Sequence, residues 1–201
     1  MATEARAGRR RGNPDTRATI LIAAQSEFAD KGFDRVSMRG IAKAAGVDPS
    51  LMYHYFGSKD DVLLASLDVP FDPRQVIPAL TRDGVAGLGD RIASRFLAIW
   101  DDPANQARLV TVVRASMSSA AAQDLLTNGI ARMVLGPIRE VIATPEAELR
   151  TSYVASQLLG LAVTRYVLRL EPLASAPSEV VSAAVGPTLQ RYLDGDVSAR
   201  T

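Results

Sequence analysis

The stretch SMRGIAKAAGVDPSLMYHYFGSK, residues 37–59, decides the fold of this chain. Its first half predicts a short helix after Ser37, because apolar residues recur at the i, i+3, i+4 and i+7 spacing that buries one helical face. Gly46 then supplies a turn, where a glycine accommodates a positive φ angle. Asp48 and Pro49 suit the cap and the first position of a second helix. Two short helices joined by a glycine-containing turn form a helix-turn-helix.

The second of these helices, residues 49–55, presents side chains suited to DNA. Helical spacing turns Met52, Tyr55 and Phe56 inward and leaves the opposite face to solvent. The outward residues are Ser50, Leu51, Tyr53 and His54. Hydroxyl and imidazole groups suit phosphate oxygens, whereas Leu51 offers only apolar contact, for instance with a thymine methyl group. In a helix-turn-helix, the N-terminal residues of this second helix contact base edges.

Three neighbouring residues extend this predicted DNA surface. Arg39 lies near the start of the preceding helix and can donate two hydrogen bonds to a guanine. Ser37 and Lys59 lie at helix N-termini, which favour phosphate. Other roles stay open at this point: Arg39 in a local ion pair, Lys59 as an ordinary exposed lysine, Tyr53 in packing and His54 in the core.

The rest of the chain reads as helical, because apolar spacing is helical throughout and strand signals are nearly absent. Three prolines at positions 70, 73 and 78 interrupt the pattern and predict a boundary between two domains, residues 15–70 and 71–201. In the first domain we expect a helix over about 15–31 and a fourth helix ending near Leu67. In the second, Pro137 and the Gly186-Pro187 pair are expected to kink or break helices. The helices predicted there cover about 84–100, 103–117, 119–143, 145–170 and 177–193.

The first fourteen residues form a basic segment. They contain four arginines and one glutamate, a net charge of +3, together with two glycines and a proline. Such a composition does not form a packed element, so residues 1–14 are predicted to be a disordered arm. A basic arm can follow phosphates or enter a minor groove, and it can equally serve only for solubility.

Composition excludes several functional classes. The chain has no cysteine and a single histidine, His54, so neither disulfides nor a Cys- or His-based metal site is expected, and no cofactor is predicted. No apolar run approaches the roughly 18 residues that span a bilayer, and the start of the chain lacks the apolar core of a signal peptide. We therefore expect a cytoplasmic protein without membrane contact. No spaced catalytic set is recognisable, which argues against an enzyme.

The segment from about Asp15 to Leu67 resembles the N-terminal domain of the tetracycline-repressor (TetR/AcrR) family of transcriptional regulators. The residues that carry the resemblance are Ala23-Ala24, Phe28, Lys31-Gly32-Phe33, Ser37 to Ala42, Ala45-Gly46-Val47 and Tyr53 to Lys59. The resemblance implies an all-α fold, in which an N-terminal three-helix helix-turn-helix DNA-binding domain precedes a C-terminal helical ligand-binding and dimerisation domain. It also implies a homodimer on double-stranded operator DNA.

The resemblance also suggests which residues contact DNA. Family positions that match Ser37, Arg39, Leu51, Tyr53, His54 and Lys59 commonly touch the operator. Family members often carry a small or hydroxyl residue at Leu51, and a Ser or Lys at Asp48 and Pro49, so this chain departs from the pattern where the helix begins. The full predicted DNA-binding set is Ser37, Arg39, Asp48, Pro49, Ser50, Leu51, Tyr53, His54 and Lys59.

The last two predicted helices, residues 145–170 and 177–193, are candidates for a subunit interface. The stretch from Leu158 to Leu168 is apolar nearly all round, so it needs burial on more than one side. We expect these helices to pack against their symmetry mates as a four-helix interface, as the last two helices of TetR-type regulators do. The alternative is that they form only the intramolecular core.

The resemblance implies an unknown small-molecule ligand in the C-terminal domain. Residues with apolar or amphipathic side chains suited to pocket walls, together with one arginine, are the candidates. They are Phe96, Trp100, Arg114, Met117, Met133, Tyr153, Gln157 and Tyr166. Arg165 is a second arginine able to orient an anionic or carbonyl ligand. The predicted function is a repressor that leaves its operator when the ligand binds; the alternative is a DNA-binding regulator or activator without an inducer.

Overall fold

The computed structural model describes residues 14–197, which contain helices and no β-strand. The all-α prediction is therefore confirmed. The chain divides into two compact units, residues 1–66 and 67–201. The predicted basic arm, apart from Pro14, lies outside the described residues.

The first unit consists of four helices around a small apolar core. They are α1 (Pro14–Lys31), α2 (Met38–Ala45), α3 (Pro49–Tyr55) and α4 (Lys59–Ser66). Ile20, Ala24 and Phe28 lie on one face of α1 and are fully buried, as their spacing predicts. The other helices cover this face with Ile41, Ala42, Met52, Val62 and Leu63, all fully buried.

The second unit contains seven α-helices and two π-helical segments within the described residues. They are α5 (Pro73–Thr81), α6 (Leu88–Trp100), α7 (Pro103–Ser118), α8 (Ala120–Asp124), the π-segment Leu125–Ala131, α9 (Arg132–Glu140), α10 (Ala147–Ala162), the π-segment Val163–Val167 and α11 (Ser178–Asp194). Helices α6 and α11 pack along each other, and α10 packs against α11. Helices α6, α10 and α11, all expected from the sequence, therefore form the frame of this unit.

The sequence analysis was wrong about the prolines that follow α4. Pro73 begins helix α5 instead of interrupting the chain, because the Asp72 side chain caps this helix by accepting a hydrogen bond from the Arg74 backbone N–H at 2.9 Å. A proline suits the first helical position, where its missing N–H would have no intrahelical partner. Pro78 lies inside the same helix and is exposed.

Helices also do not end at two other prolines, where the sequence predicted a kink or a break. Pro137 lies inside α9 and Pro187 lies inside α11, and both helices continue through them. Each proline removes one backbone donor. Ile138 is buried next to Pro137 in α9, and Gly186 and Leu189 are buried close to Pro187 in α11. This packing opposes the tendency of a proline to break its helix.

Two apolar clusters form the core of the second unit. The first contains Ile77, Leu88, Ile92, Ala93, Ile138, Ile142, Val154, Leu189 and Leu193. The second contains Leu97, Ile99, Trp100, Leu109, Val113, Leu161, Ala162, Tyr166 and Val181. Among the described residues, no helix is both long and apolar enough to cross a bilayer.

Candidate nucleic-acid interface

The turn between α2 and α3 has the geometry that its glycine predicts. Gly46 adopts φ 65° and ψ 29°, in the left-handed region. Its N–H donates to the Lys43 carbonyl oxygen at 3.2 Å, and the Val47 N–H donates to the Ala42 carbonyl oxygen at 3.0 Å. No atom lies within 4 Å of a Cβ placed on Gly46, so the positive φ, and not lack of space, is what favours glycine here.

Residues at the start of α2 are placed as predicted. The Ser37 hydroxyl caps the helix by accepting a hydrogen bond from the Gly40 N–H at 3.1 Å. Arg39 is exposed, and no hydrogen bond or ion pair joins it to another residue in the described range. Its guanidinium is therefore available for an external partner.

Helix α3 begins with a charged cap. The Asp48 carboxylate accepts a hydrogen bond from the Ser50 N–H at 2.8 Å, and Pro49 occupies the first helical position. Hydrogen bonds from the Ser50 side chain and backbone lower the pKa of Asp48, which keeps it ionised. A carboxylate only accepts hydrogen bonds, so Asp48 cannot bind a phosphate directly; a cytosine amino group is its suitable partner on DNA.

The outward face of α3 is polar around one exposed aromatic ring. Tyr53 is 61% exposed, and Ser50 and His54 are exposed beside it. The His54 ring meets the Tyr55 ring edge-on, with 5.2 Å between centroids. Leu51 is half-buried, so only part of it remains available for a thymine methyl group. On the opposite face, Met52 and Phe56 are buried, and Tyr55 is half-buried.

Lys59 has internal partners that the sequence did not reveal. Its ammonium donates to the Phe33 carbonyl oxygen at 2.8 Å and lies 3.5 Å from the Asp34 carbonyl oxygen. The same ammonium lies 4.1 Å from the centroid of the Phe33 ring. It therefore ties the start of α4 to the connection between α1 and α2. No sequence signal marks this role, because the partners lie 25 and 26 residues away.

Arg17 is a further cation beside this face that the sequence analysis missed. It is exposed on α1, and its guanidinium carbon lies 5.3 Å from the centroid of the Phe56 ring. Phe56 caps the C-terminal end of α3. The contact places a positive charge next to α3 without using its hydrogen-bond donors.

In the second unit, three of the predicted ligand-binding residues stack together. The Phe96 and Trp100 rings lie 5.6 Å apart, and the Trp100 and Tyr166 rings lie 5.1 Å apart. Trp100 and Tyr166 are buried. The Tyr166 hydroxyl donates to Asp101 Oδ1 at 2.8 Å. Burial raises the pKa of Tyr166 well above its usual value, and this hydrogen bond raises the pKa further. Tyr166 thus remains a protonated donor.

The other predicted ligand-binding residues do not join this stack. The Tyr153 ring packs against the Tyr192 ring at 5.6 Å, and Met133 is buried. Met117 is 59% exposed, and Arg114 is exposed on the same helix. Gln157 is half-buried on α10. The residue types were suited to a pocket, but the fold distributes them over several surfaces.

Helices α10 and α11 and the segment between them expose several apolar side chains. Val181, Leu189 and Leu193 of α11 are buried in the intramolecular core, so they are not available to a partner. The exposed apolar residues of this region are Leu149, Leu159, Leu168, Leu170 and Val180. The small residues Gly160, Ala183 and Ala184 are exposed among them. An exposed apolar surface of this kind is typical of a protein interface.

Comparison with known families identifies both units. Residues 20–66 match the family described as bacterial regulatory proteins, tetR family. Residues 86–193 match the tetracyclin repressor-like C-terminal domain, a match of 108 of the 201 residues. Both matches are to transcriptional regulators and not to enzymes.

Relatives with assigned names match part of the chain. The HTH-type transcriptional regulator BetI of Rhizobium meliloti (strain 1021) is 37% identical over 102 residues, which are 43% of this chain and 49% of that protein. The HTH-type transcriptional activator FasR of Mycolicibacterium smegmatis is 41% identical over 64 residues, which are 30% of this chain and 29% of that protein. The chain thus spans about half the length, or less, of these curated relatives.

Solved structures extend the similarity over most of the chain. A TetR-family regulator from Streptomyces coelicolor A3 is 37% identical, covers 93% of this chain and 99% of its own, and has a TM-score of 0.49. NalD, the secondary repressor of the MexAB-OprM multidrug efflux pump in Pseudomonas aeruginosa, is 20% identical over 90% of this chain and 97% of its own, with a TM-score of 0.50. NalD therefore shows similarity of fold alone. The family matches over both units are decisive: this chain belongs to the tetracycline-repressor family of DNA-binding transcriptional regulators.

Proposed function

We propose that this protein is a homodimeric repressor that binds a near-palindromic operator and leaves it when a small molecule binds the second unit. The observation that carries the DNA-binding part is the polar face of α3. Tyr53 is 61% exposed between exposed Ser50 and His54, while Met52 behind them is fully buried. A buried anchor with an exposed polar face is what a helix needs in order to lie in the major groove.

Within this proposal the nine candidate DNA-binding residues have different roles. Arg39 reads a guanine, because it is exposed and its guanidinium has no partner among the described residues. Tyr53 and His54 donate to phosphates. Ser37 and Ser50 are exposed and add hydroxyl contacts near the helix starts.

The remaining candidates act more indirectly. Asp48 and Pro49 set the start of α3 as its cap and first residue. Leu51 offers the exposed part of an apolar side chain. Lys59 positions α4 through its ammonium, so its phosphate contact is proposed for the backbone N–H at the start of that helix and not for the side chain.

The proposed dimer uses the uncovered apolar side chains of α10 and α11. An isologous interface brings the same surfaces of two subunits together and buries Val180, Leu159 and their neighbours. A twofold dimer presents two copies of α3, which read half-sites one helical turn or a small multiple apart. A near-palindromic operator follows from this symmetry.

The names of two proteins that resemble this chain carry opposite regulatory signs. NalD is described as a repressor, and FasR is described as an activator. The repressor is our principal proposal. The second candidate is a regulator or activator that works without an inducer; the name of FasR, which is 41% identical over 64 residues, favours only the activator part of it.

Selection of DNA fragments by the purified protein, followed by sequencing, tests the proposed function. We expect enrichment of one sequence with twofold symmetry, and loss of the enrichment in the Tyr53→Ala variant. A single unsymmetrical sequence would contradict the dimer arrangement. Enrichment no greater than that of the variant would contradict specific DNA binding.

A further inference from the structure

A surface cavity of about 290 Å³ lies at the end of α6 and the end of α10. Seven of the residues that line it carry polar or charged side chains: Asp101, Gln106, Arg165, Tyr166, Arg169, Glu171 and Ser175. The volume is close to the lower limit of small-molecule pockets. Of these residues, the sequence analysis placed only Tyr166 in its candidate set and named Arg165 beside it.

Arg165 forms the inner wall and has one unused donor. Only 7% of this residue is exposed. Its Nη1 donates to the Leu173 carbonyl oxygen at 2.5 Å and to the Ala176 carbonyl oxygen at 2.8 Å, and its Nη2 lies 3.6 Å from Asp101 Oδ1. The Nε atom is buried and has no hydrogen-bond partner. A buried charged group with an unsatisfied donor is unfavourable, so a negative charge placed in the cavity would stabilise this wall.

Arg169 forms the outer wall. It is exposed and has no hydrogen bond or ion pair with another residue of the described range. Its φ angle is +55°, a conformation that residues other than glycine seldom adopt. Hydrogen bonds on either side hold this conformation, since the Leu168 N–H donates to Val163 and the Leu170 N–H donates to Thr164. Unusual backbone of this kind is concentrated at ligand-binding positions.

The two acids of the cavity are already occupied by donors of the protein. Asp101 accepts hydrogen bonds from the hydroxyl groups of Tyr166 and Ser178 and faces Arg165. Glu171 accepts a hydrogen bond from the Ser175 hydroxyl at 2.6 Å. Asp101 therefore has little capacity left, whereas the exposed guanidinium of Arg169 has donors to offer a ligand.

These observations define the chemistry of a ligand. We propose that the cavity binds a small organic monocarboxylate, whose oxygens accept hydrogen bonds from Arg169 and lie beside the positive charge of the Arg165 guanidinium. Planar guanidinium groups match carboxylates well. With two arginines and two acids the cavity has no net charge, which favours a single negative charge over a phosphate dianion. Gln106 uses its amide nitrogen on the Trp100 carbonyl oxygen, so its amide oxygen remains for a hydroxyl or amino group of the ligand.

The chain contains a reporter for this site. Trp100 is its single tryptophan. The Trp100 ring stacks on the ring of Tyr166, with centroids 5.1 Å apart and planes at 23°. Since Tyr166 and Gln106 both line the cavity and both contact Trp100, a bound ligand changes the surroundings of the indole.

This inference deepens the ligand response proposed above, and it rests on that proposal only for the effect on DNA. The experiment titrates the full-length protein with lactate, benzoate and inorganic phosphate at constant ionic strength, recording tryptophan fluorescence and calorimetric heat. We expect saturable binding of a monocarboxylate with a change in Trp100 emission. The Arg169→Gln variant should weaken this binding by about tenfold or more, as expected for loss of a charge-assisted hydrogen bond.

Arg95→Gln is the matched control, because Arg95 is also an exposed arginine of the second unit but does not line the cavity. It should bind carboxylate like the unmodified protein. Flat titrations by both methods, equal binding of phosphate, or unchanged affinity in Arg169→Gln would each overturn the proposal. Operator binding is measured separately. If carboxylate binds but does not release DNA, the repressor mechanism is contradicted and the binding site is retained. If carboxylate does not bind, the site is contradicted, and the DNA-binding part of the proposed function is not affected.

Discussion

The backbones of α6 and α11 lie in close contact at Gly89 and Gln190. The Gly89 N–H donates to Gln190 Oε1 at 2.9 Å, and Gln190 Nε2 donates to the Val85 carbonyl oxygen at 2.9 Å. A Cβ placed on Gly89 would lie 2.5 Å from the Gln190 backbone nitrogen and 2.9 Å from its Cα. Backbone atoms cannot move aside as a side chain can, so only glycine fits at this crossing.

The Gly89→Ala variant should therefore lower the free energy of unfolding, by about 1–3 kcal/mol, because the added methyl group forces α6 and α11 apart. Thermal unfolding followed by circular dichroism measures this. Gly136→Ala is the control: Gly136 lies inside α9 with no atom within 4 Å of its Cβ position. There alanine should change the free energy of unfolding by less than about 1 kcal/mol in either direction, because its higher helix propensity is opposed by the restriction that Pro137 places on the residue before it. Equal melting temperatures for both variants would contradict the close packing.

Lys59 and Tyr53 should respond differently to substitution. Lys59→Met removes two carbonyl contacts and a cation–π contact, which should destabilise the protein by about 1–2 kcal/mol. Tyr53→Ala should leave stability almost unchanged, since the side chain is 61% exposed, but should weaken binding to every DNA sequence. Melting temperature and DNA affinity, measured on both variants, separate the two roles. A Lys59→Met protein that melts normally would show that the internal contacts contribute nothing.

Arg39→Ala should cost about 1–3 kcal/mol of binding free energy on the selected operator and relax the choice of base at one position in each half-site. The reason is that a guanidinium can make two hydrogen bonds to a guanine. Affinity for operators with each base at that position measures the effect. If Arg39→Ala weakens binding equally on all sequences, Arg39 contacts phosphate instead.

Asp48 gives a prediction about pH. Its pKa is lowered in the folded state from the usual 3.8, so the stability it contributes is present above 3.8 and is lost as the pH falls through the lowered value. Asn at position 48 can still cap the helix but does not titrate. In the Asp48→Asn variant the free energy of unfolding should therefore fall less steeply as the pH is lowered. Acid titration of both proteins by circular dichroism tests this; identical curves would contradict it.

The same variant also tests what Asp48 does on DNA. Removal of a negative charge at the start of α3 should tighten binding to all sequences, because repulsion from phosphates is relieved. Weaker binding that is confined to operators with one particular base would instead identify Asp48 as a reader of a cytosine amino group.

The dimer surface can be tested with a pair of exposed apolar residues. Val180→Asp should convert the protein to a monomer in light scattering, because it places a charge in the proposed interface of α11. Ile22→Asp is the control, since Ile22 is 68% exposed on α1, a helix of the first unit that is not part of the proposed interface. A dimeric Val180→Asp protein would mean that the subunits associate elsewhere.

The parts of the fold that depend on neighbours in sequence were predictable. Ser37, Gly46 and Asp48 act on backbone groups within four residues of themselves, so the boundaries of α2 and α3 follow from local chemistry. The role of Pro73 was predicted wrongly, because a proline that can end one helix can also begin another. Here Asp72 caps the helix that Pro73 begins.

Contacts between residues that are far apart in the sequence could not be predicted from local patterns. Lys59 finds its partners 25 and 26 residues away, and a lysine in a sequence looks the same whether it faces phosphate or a carbonyl oxygen. The candidate ligand residues were chosen by type, and the fold stacked Phe96, Trp100 and Tyr166 while leaving Met117 exposed. Amphipathic spacing indicates which face is buried, but not which element covers it.

Methylation protection on the selected operator tests the central claim most directly, because dimethyl sulfate attacks guanine N7 in the major groove, where α3 and Arg39 are proposed to lie. We expect two protected guanine positions related by twofold symmetry, with half-site centres about 10 base pairs or a small multiple apart. Protection should disappear at these positions in Arg39→Ala. Full reactivity of every guanine under saturating protein, or protection of one half-site only, would contradict a dimer reading DNA through α3.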